Sequence, residues 1–339
     1  MTTNETIATL NTIQPIKIKG WMDDKEKKQN IYFMKAKYEV DDEFYTSYSE
    51  IYKELKDYKA HFKNKIVVCP CNDGVKSNFY RYFALNFNEL ELKKLITTTF
   101  NINDKNAKGT KIEMTANGTT KTLLNGNGDF KSEEVKQIIA SGDIIVTNPP
   151  FSLFRDLIQI VVDRNKKFLI VGGTYSITYK KIFELYREKK IWLGNHQVCV
   201  FTRPNGTKKR FSNISWFTNM KSVQHLRPLK LTKKYKNNEQ KYPEYDNYKI
   251  IEVTSYKDIP IDYHEPMGVP LTFFLRHNPA QFEILGCDFE IKDRMQHLMK
   301  KEYDKFKTSS AVLNGTELFT RIIIQRKNGL IPRDYNAQI

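Results

Sequence analysis

Between residues 65 and 195 the chain repeats one pattern: a short continuous apolar run, a turn, then apolar residues at helical spacing. The runs are Lys65-Ile66-Val67-Val68-Cys69, Lys94-Leu95-Ile96-Thr97-Thr98-Thr99-Phe100, Asp143-Ile144-Ile145-Val146-Thr147, Lys167-Phe168-Leu169-Ile170-Val171 and Ile191-Trp192-Leu193. A strand without polar alternation is one buried on both faces, as in a parallel sheet covered by helices on each side. Helices are predicted from about Asp41 through Tyr48, Ile51, Tyr52 and Leu55, and after a Ser77 cap through Phe79, Tyr82, Phe83 and Phe87. Three more are predicted, from Ser132 through Ile139, from Leu153 through Val161, and from Ile182 to Tyr186. This alternation predicts an α/β fold with a doubly wound sheet. Ligands in such sheets bind beyond the carboxyl ends of the strands, where Pro70–Gly74 and Asn148–Phe151 fall.

Residues 101–128, rich in Asn, Gly, Thr and Lys, interrupt the pattern as a hairpin or a mobile insertion. After residue 195 the alternation stops. Val198 to Thr202, Pro204-Asn205-Gly206 and Lys208 to Phe211 read as a hairpin with an Asn-Gly turn, and Thr320 to Ile324 as a last strand. The expected organisation is a loose N-terminal arm over 1–40, a catalytic domain over 41–195, and a C-terminal portion over 196–339 that can return strands to the sheet. No apolar stretch reaches the roughly 18–20 residues that cross a bilayer, and Met1 to Gly20 lacks the apolar core of a secretory signal. A cytoplasmic protein with no membrane partner is expected. Cys69 and Cys71 are too close for a structural zinc pair and no second pair follows, so Cys69, Cys71, Cys199 and Cys287 read as reduced thiols and no metal is expected.

The chain carries 55 Lys and Arg against 39 Asp and Glu, a net charge of +16. Residues 201–250 hold 12 of those cations and 3 of the acids, so over half the excess lies in this stretch. Lys208, Lys209 and Arg210 sit on the expected hairpin. Arg227, Lys230, Lys233, Lys234 and Lys236 follow, interleaved with Tyr235. A solvated face is the default reading of such runs; a polyanion partner is the functional one.

Asn148-Pro149-Pro150-Phe151 carries the sharpest chemistry. An exocyclic amino group of a base is a poor nucleophile because its lone pair is delocalised into the ring. Two acceptors that bind its hydrogens draw it toward tetrahedral geometry, and the Asn148 side-chain oxygen and the Pro149 carbonyl could supply them. Two prolines stiffen the loop and remove competing donors. Phe151 can stack on a base turned out of its helix, offsetting an unstacking cost of a few kcal/mol. The methyl donor for such a displacement is S-adenosylmethionine (AdoMet), and positioning does most of the work. The bland alternative is a turn ending a strand. The buried strand before the motif and the apolar helix after it favour the functional reading.

Three other places could serve AdoMet: the first strand-to-helix turn with Asn72 and Asp73, Asp129-Phe130 before a helix, and Phe44-Tyr45-Thr46 upstream. Each has an ordinary structural alternative, respectively a turn Asp, a helix-start Asp and an aromatic core contact.

In this order the pieces resemble the EcoRI-type adenine-specific DNA modification methylases. The likeness runs from about residue 41 to 327, through Asp42-Glu43-Phe44-Tyr45-Thr46, Ser77-Asn78-Phe79-Tyr80-Arg81-Tyr82-Phe83 and Asp143 to Arg155. It continues through Ile177-Thr178-Tyr179-Lys180, Ile191-Trp192-Leu193-Gly194, Met267-Gly268-Val269-Pro270 and Gln281-Phe282-Glu283-Ile284-Leu285-Gly286. The resemblance implies a mostly parallel, seven-stranded, Rossmann-like methyltransferase sheet with a C-terminal DNA-recognition portion. It also implies AdoMet as donor and adenine N6 in duplex DNA as acceptor. It assigns Phe44, Tyr45, Thr46 and the turn Cys71, Asn72, Asp73 and Gly74 to AdoMet, with Asp129 and Phe130 at its adenine, and Asn148 through Phe151 to the target base. A monomer and a cognate restriction endonuclease that forms no stable complex are also implied. Two departures from the wider methyltransferase pattern stand out: the first loop is not Gly-rich, and the second strand ends in Phe100-Asn101 where an acid usually holds the ribose. The rival readings are an amino methyltransferase acting on RNA or protein, and a catalytically silent DNA-binding protein of the same fold.

Overall fold

The apolar runs pair into one sheet, and the elements follow the chain in the expected alternation. The structure is a computed structural model and describes residues 45–71, 74–100, 107–202, 207–221 and 228–327. The expected N-terminal arm therefore lies outside the described residues. The first half comprises β1 (Tyr45–Thr46), α1 (Tyr48–Leu55), α2 (Lys59–Phe62), β2 (Ile66–Cys69), α3 (Asn78–Leu85), β3 (Lys94–Thr98), β4 (Thr110–Thr115), β5 (Gly118–Leu123), α4 (Glu133–Ser141), β6 (Ile144–Thr147), α5 (Phe154–Asp163) and β7 (Lys167–Gly173). Then come α6 (Lys180–Arg187), β8 (Trp192–Gln197), β9 (Val200–Thr202), β10 (Lys208–Arg210), β11 (Ile214–Thr218), β12 (Ile251–Glu252), β13 (Met267–Pro270), β14 (Phe282–Cys287), α7 (Ile291–Arg294), β15 (Val312–Leu313), β16 (Thr316–Glu317) and β17 (Arg321–Arg326).

The main sheet has eight strands in the order β5-β4-β3-β2-β6-β7-β11-β8. Its centre, β3-β2-β6-β7, is parallel. Both flanks bring in antiparallel pairing: β4 runs against β3 and β5, and β11 runs against β7 and β8. The seven-stranded, mostly parallel sheet of the sequence reading is thus replaced by an eight-stranded mixed one. Part of the difference comes from residues 110–123, which fold as a hairpin closed at Ala116-Asn117. An antiparallel neighbour needs only a tight turn, whereas a parallel one needs a crossover. On β5 every residue is exposed, so this hairpin extends the edge without enlarging the core.

Helices cover both faces, and successive strand residues alternate between them. Val68, Ile96, Ile145 and Ile170 pack with Val135 and Ile139 of α4 and Leu157, Ile158 and Val161 of α5. Val67, Leu95, Ile144 and Val171 pack with Ile51 and Leu55 of α1 and Phe79 and Phe83 of α3. The caps read from sequence are made: Ser77 Oγ accepts from the Phe79 amide at 3.1 Å, and Ser132 Oγ from the Val135 amide at 3.3 Å.

A second sheet, β12-β13-β17-β14, follows in the C-terminal part. Its Met267, Val269, Ile322 and Ile324 share one continuous core with Phe183 and Tyr186 of α6. A third sheet, β1-β9-β10, joins the start of the described chain to the basic hairpin. Among the described residues, no helix is long and apolar enough to cross a membrane.

Candidate active site

β2 is followed in the sheet by β3 on one side, and β6 by β7 on the other, so the strand order reverses between β2 and β6. Loops leaving adjacent strands at such a reversal part and open a crevice. Pro70-Cys71 leaves β2 there and Asn148-Pro149 leaves β6. The two loops are tied together by the Thr147 hydroxyl, which donates to the Pro70 carbonyl. One strand further out, Thr97 Oγ1 donates to the Cys69 carbonyl at 3.0 Å.

The loop after β2 turns sharply through two left-handed residues, Cys71 at φ 62° and Gly74 at φ 58°. Asn72 and Asp73 between them lie outside the described residues, as does Phe44. The Gly74 carbonyl accepts from the Ser77 amide at 3.2 Å, which starts α3. From α3, Asn78 Nδ2 donates to the Thr46 carbonyl at 3.0 Å and so brings β1 to this loop. Tyr45 is half-buried, and Thr46 is 2% exposed with its Oγ1 buried and unpartnered.

Asp129 reaches the same edge by a close approach of backbone. Gly128 has φ +88°, and a Cβ on it would lie 1.9 Å from the Thr99 carbonyl. Only glycine fits. A Cβ on Gly74 would lie 3.0 Å from Thr99 Cγ2, so the loop after β2 and the segment before α4 converge on the end of β3. Asp129 Oδ1 accepts from the Lys131 amide at 2.8 Å, and its carbonyl accepts from Ser132 Oγ at 2.6 Å. These are the bonds of a residue that starts a helix. Phe130 points into the core and is 3% exposed.

Asn148 ends the crevice on the other side. Its Oδ1 is buried without a hydrogen-bond partner. An unpaired buried acceptor costs on the order of 1–3 kcal/mol, which makes Asn148 Oδ1 a candidate to accept from a donor outside the chain. Pro149 is buried, and the Pro150 carbonyl accepts from the Leu153 amide at 2.8 Å, which fixes the turn at Phe151–Leu153. Phe151 is half-buried against the α1–α3 side of the core. Burial pushes the Cys69 thiol well up, so it stays neutral and is a poor nucleophile or ligand. Among the described residues, no cluster of three His, Cys, Asp or Glu could hold a metal.

The basic residues fall in two places. Lys208, Lys209 and Arg210 pair with Thr202, Phe201 and Val200, and the same strand pairs with Tyr45 and Thr46. Lys208 and Arg210 are exposed, and Lys209 Nζ stands 5.2 Å from the Phe211 ring centre. The second stretch lies beside the C-terminal sheet, where Lys233 bridges to Pro260. Lys230, Lys233, Lys234 and Lys236 are exposed, and Arg227 lies outside the described residues. Lys233, Lys234 and Lys241 border a polar hollow of about 500 Å³ with Asn238 and Asp258. The candidate residues around Asn148, Gly74, Thr46 and Asp129 thus gather at one sheet edge, with the first basic group joined to them through β1. Sequence reasoning passed over Thr147, Thr97 and Asn78, which tie the loops together. A hydroxyl on the last residue of a buried strand was the available signal for Thr147.

The family model described as adenine-specific methyltransferase EcoRI matches residues 32–327. The Type II methyltransferase M.EcoRI of Escherichia coli is 41% identical over 284 residues, covering 74% of this chain and 87% of that protein. M.MgeORF184P of Mycoplasma genitalium is 36% identical over 316 residues, covering 87% and 99%. M.MpnI of Mycoplasma pneumoniae is 35% identical over 322 residues, covering 88% and 99%. Both are likewise named Type II methyltransferases. No solved structure matches. Matched from residue 32 to residue 327, and sharing more than a third of the aligned residues with each of these relatives, the chain belongs to the EcoRI family of adenine-specific methyltransferases.

Proposed function

We propose that this chain methylates N6 of adenine at a specific site in duplex DNA, using AdoMet, after turning the adenine out of the helix. The observation that carries the reading is the buried, unpartnered Asn148 Oδ1 at the reversal of the strand order. Adenine N6 offers two hydrogens. Asn148 Oδ1 accepts one and the Pro149 carbonyl the other, which pulls the lone pair out of the ring and toward the methyl. Phe151 stacks on the extruded base and offsets part of the few kcal/mol of lost stacking. When bound, AdoMet supplies a methyl on sulfur, whose S–C bond breaks with its electron pair kept by sulfur as the N6–C bond forms. N6 then sheds one proton to solvent.

The residues around the crevice suit that donor. Thr46 Oγ1 is likewise a buried oxygen without a partner. Cys71 and Gly74, both at left-handed φ, flank the end of β2 and the start of α3, and Asp129 is held beside β3 by Gly128. In this reading Tyr45, Thr46, Cys71, Gly74 and Asp129 contact AdoMet, with Phe130 supporting from the core. Lys208, Lys209 and Arg210 meet phosphates along the hairpin, and Lys230, Lys233, Lys234 and Lys236 extend that interaction. Residues 196–339 serve target recognition, and the enzyme acts in the cytoplasm as a monomer beside a restriction endonuclease of the same site.

The test is transfer of tritiated methyl from AdoMet to duplex DNA, RNA and protein offered separately. Label on duplex DNA alone is expected. Label on RNA or protein alone would overturn the reading, and AdoMet binding with no transfer to any acceptor would mark a silent DNA-binding protein.

A further inference from the structure

The sheet edge that carries Asn148 also carries an aromatic ladder that methyl transfer as described leaves unused. β6 and β7 are parallel neighbours with Thr147 opposite Ile170, so β7 runs on past the level of Asn148 to Gly173, and the turn after it leaves the same end of the sheet. That turn, Thr174–Thr178, contains Tyr175. The helix leaving the catalytic loop is pressed onto the same place: a Cβ on Gly172 of β7 would meet the Phe154 ring at 2.5 Å. Next to Phe154, Arg155 sets its guanidinium 4.9 Å from the Tyr179 ring centre. Tyr179 meets Tyr175 edge-on at 6.1 Å, and Tyr175 meets Phe319 at 5.6 Å. Phe319 ends the ladder 56% exposed.

A lone exposed Phe is ordinary. Phe319 differs in how firmly it is held. Its carbonyl accepts from Arg321 Nη1 at 2.8 Å. The same guanidinium grips Glu252 through Nε and Nη2, each at 2.9 Å. Glu252 is 1% exposed and also receives the Tyr245 hydroxyl. Just upstream the chain reverses through Asn314 and Gly315, both at positive φ, between β15 and β16. Just downstream it enters the buried strand β17. A large apolar ring is therefore presented to solvent on a rigid buried ion pair, backed by a tyrosine from the catalytic edge. A group fixed in advance loses little freedom when it is covered.

We propose that Phe319, backed by Tyr175, stacks on the DNA bases next to the target adenine. This rests on the adenine-methylation reading of Asn148. Extruding a base removes its stacking on both neighbours, and an apolar wedge at the vacated step restores part of it. Base stacking on aromatic side chains is also indifferent to sequence, so the wedge serves extrusion and leaves site choice to other residues.

The experiment uses the full chain and a duplex containing the site mapped from wild-type methylation. A second duplex has the target adenine opposite an abasic position, so that extrusion breaks no base pair, costs less and no longer limits the rate. Phe319→Ala is expected to slow methylation of the paired duplex at least tenfold. Phe319→Trp restores most of the rate, and the Ala defect shrinks to about twofold on the abasic duplex while AdoMet binding is unchanged. Wild-type rates for Phe319→Ala on both duplexes, or an equal loss on both, would overturn the proposal. Absence of adenine methylation by the wild-type chain would instead sink the reading of Asn148 on which it rests.

Discussion

The Thr147 hydroxyl donates to the carbonyl of Pro70, seventy-seven residues earlier, and so joins the two loops that line the crevice. Thr147 is the last residue of β6 and is fully buried. Thr147→Val keeps the shape and removes the donor. Loss of about 1 kcal/mol of stability is expected from the missing bond, together with weaker AdoMet binding as the loops separate. Thr147→Ser should retain both. Urea unfolding and an AdoMet titration of the three proteins check this.

Gly128 offers a sharper test of the same edge. Alanine there would put a methyl on the Thr99 carbonyl at a left-handed φ. Such strain is expected to cost on the order of 1–3 kcal/mol, and the steric overlap adds to it. Gly126, two residues away, has open space at its Cβ position. Gly126→Ala should leave thermal unfolding nearly unchanged while Gly128→Ala lowers the midpoint by several degrees or prevents folding.

Neutralising Lys208, Lys209 and Arg210 together tests the basic hairpin. These residues lie on β10, and two of them are exposed. If each meets a phosphate, the slope of log K against log salt should flatten by up to about 0.9 for every phosphate the variant no longer neutralises. Binding should weaken alike for cognate and unrelated duplexes, since phosphates carry no sequence information. An unchanged salt slope would remove the hairpin from the DNA interface.

Asp262 anchors the second basic stretch and makes it sensitive to acid. Its carboxylate accepts from the Tyr235 amide at 2.6 Å and the Lys236 amide at 3.2 Å. The Tyr235 bond above all holds the carboxyl below its usual range. A depressed folded pKa gives stability that is present above the ordinary Asp value and lost as pH falls through the folded one. Amide-exchange protection at Tyr235 and Lys236 should therefore hold at neutral pH and fall below about pH 4. Asp262→Asn should show no such step.

Much of the frame was legible because it is dictated locally. The unalternating runs at Ile66–Cys69, Ile144–Thr147 and Lys167–Gly173 could only be buried strands, and Ser77 and Ser132 mark their helices by capping. Strand direction was not legible. Ile214–Thr218, absent from the runs read as strands, enters the sheet antiparallel between β7 and β8. Nothing in five residues of sequence states a direction; the path of the chain decides it. The candidate motif stood out because Asn-Pro-Pro-Phe, stiffened by two prolines, follows a buried strand and precedes an apolar helix. The tie from Thr147 to Pro70 and the mount of Phe319 on Arg321 and Glu252 stayed hidden, since their partners meet only in the folded sheet.

The most direct test of the central claim is the identity of the methylated nucleoside. Duplex DNA is incubated with AdoMet and either the wild-type chain or Asn148→Ala, then digested and separated by mass spectrometry. The account predicts N6-methyladenine from the wild type and at least a hundredfold less from Asn148→Ala, with AdoMet still bound by the variant. Methyl on cytosine, or an Asn148→Ala product equal to the wild type, would contradict it.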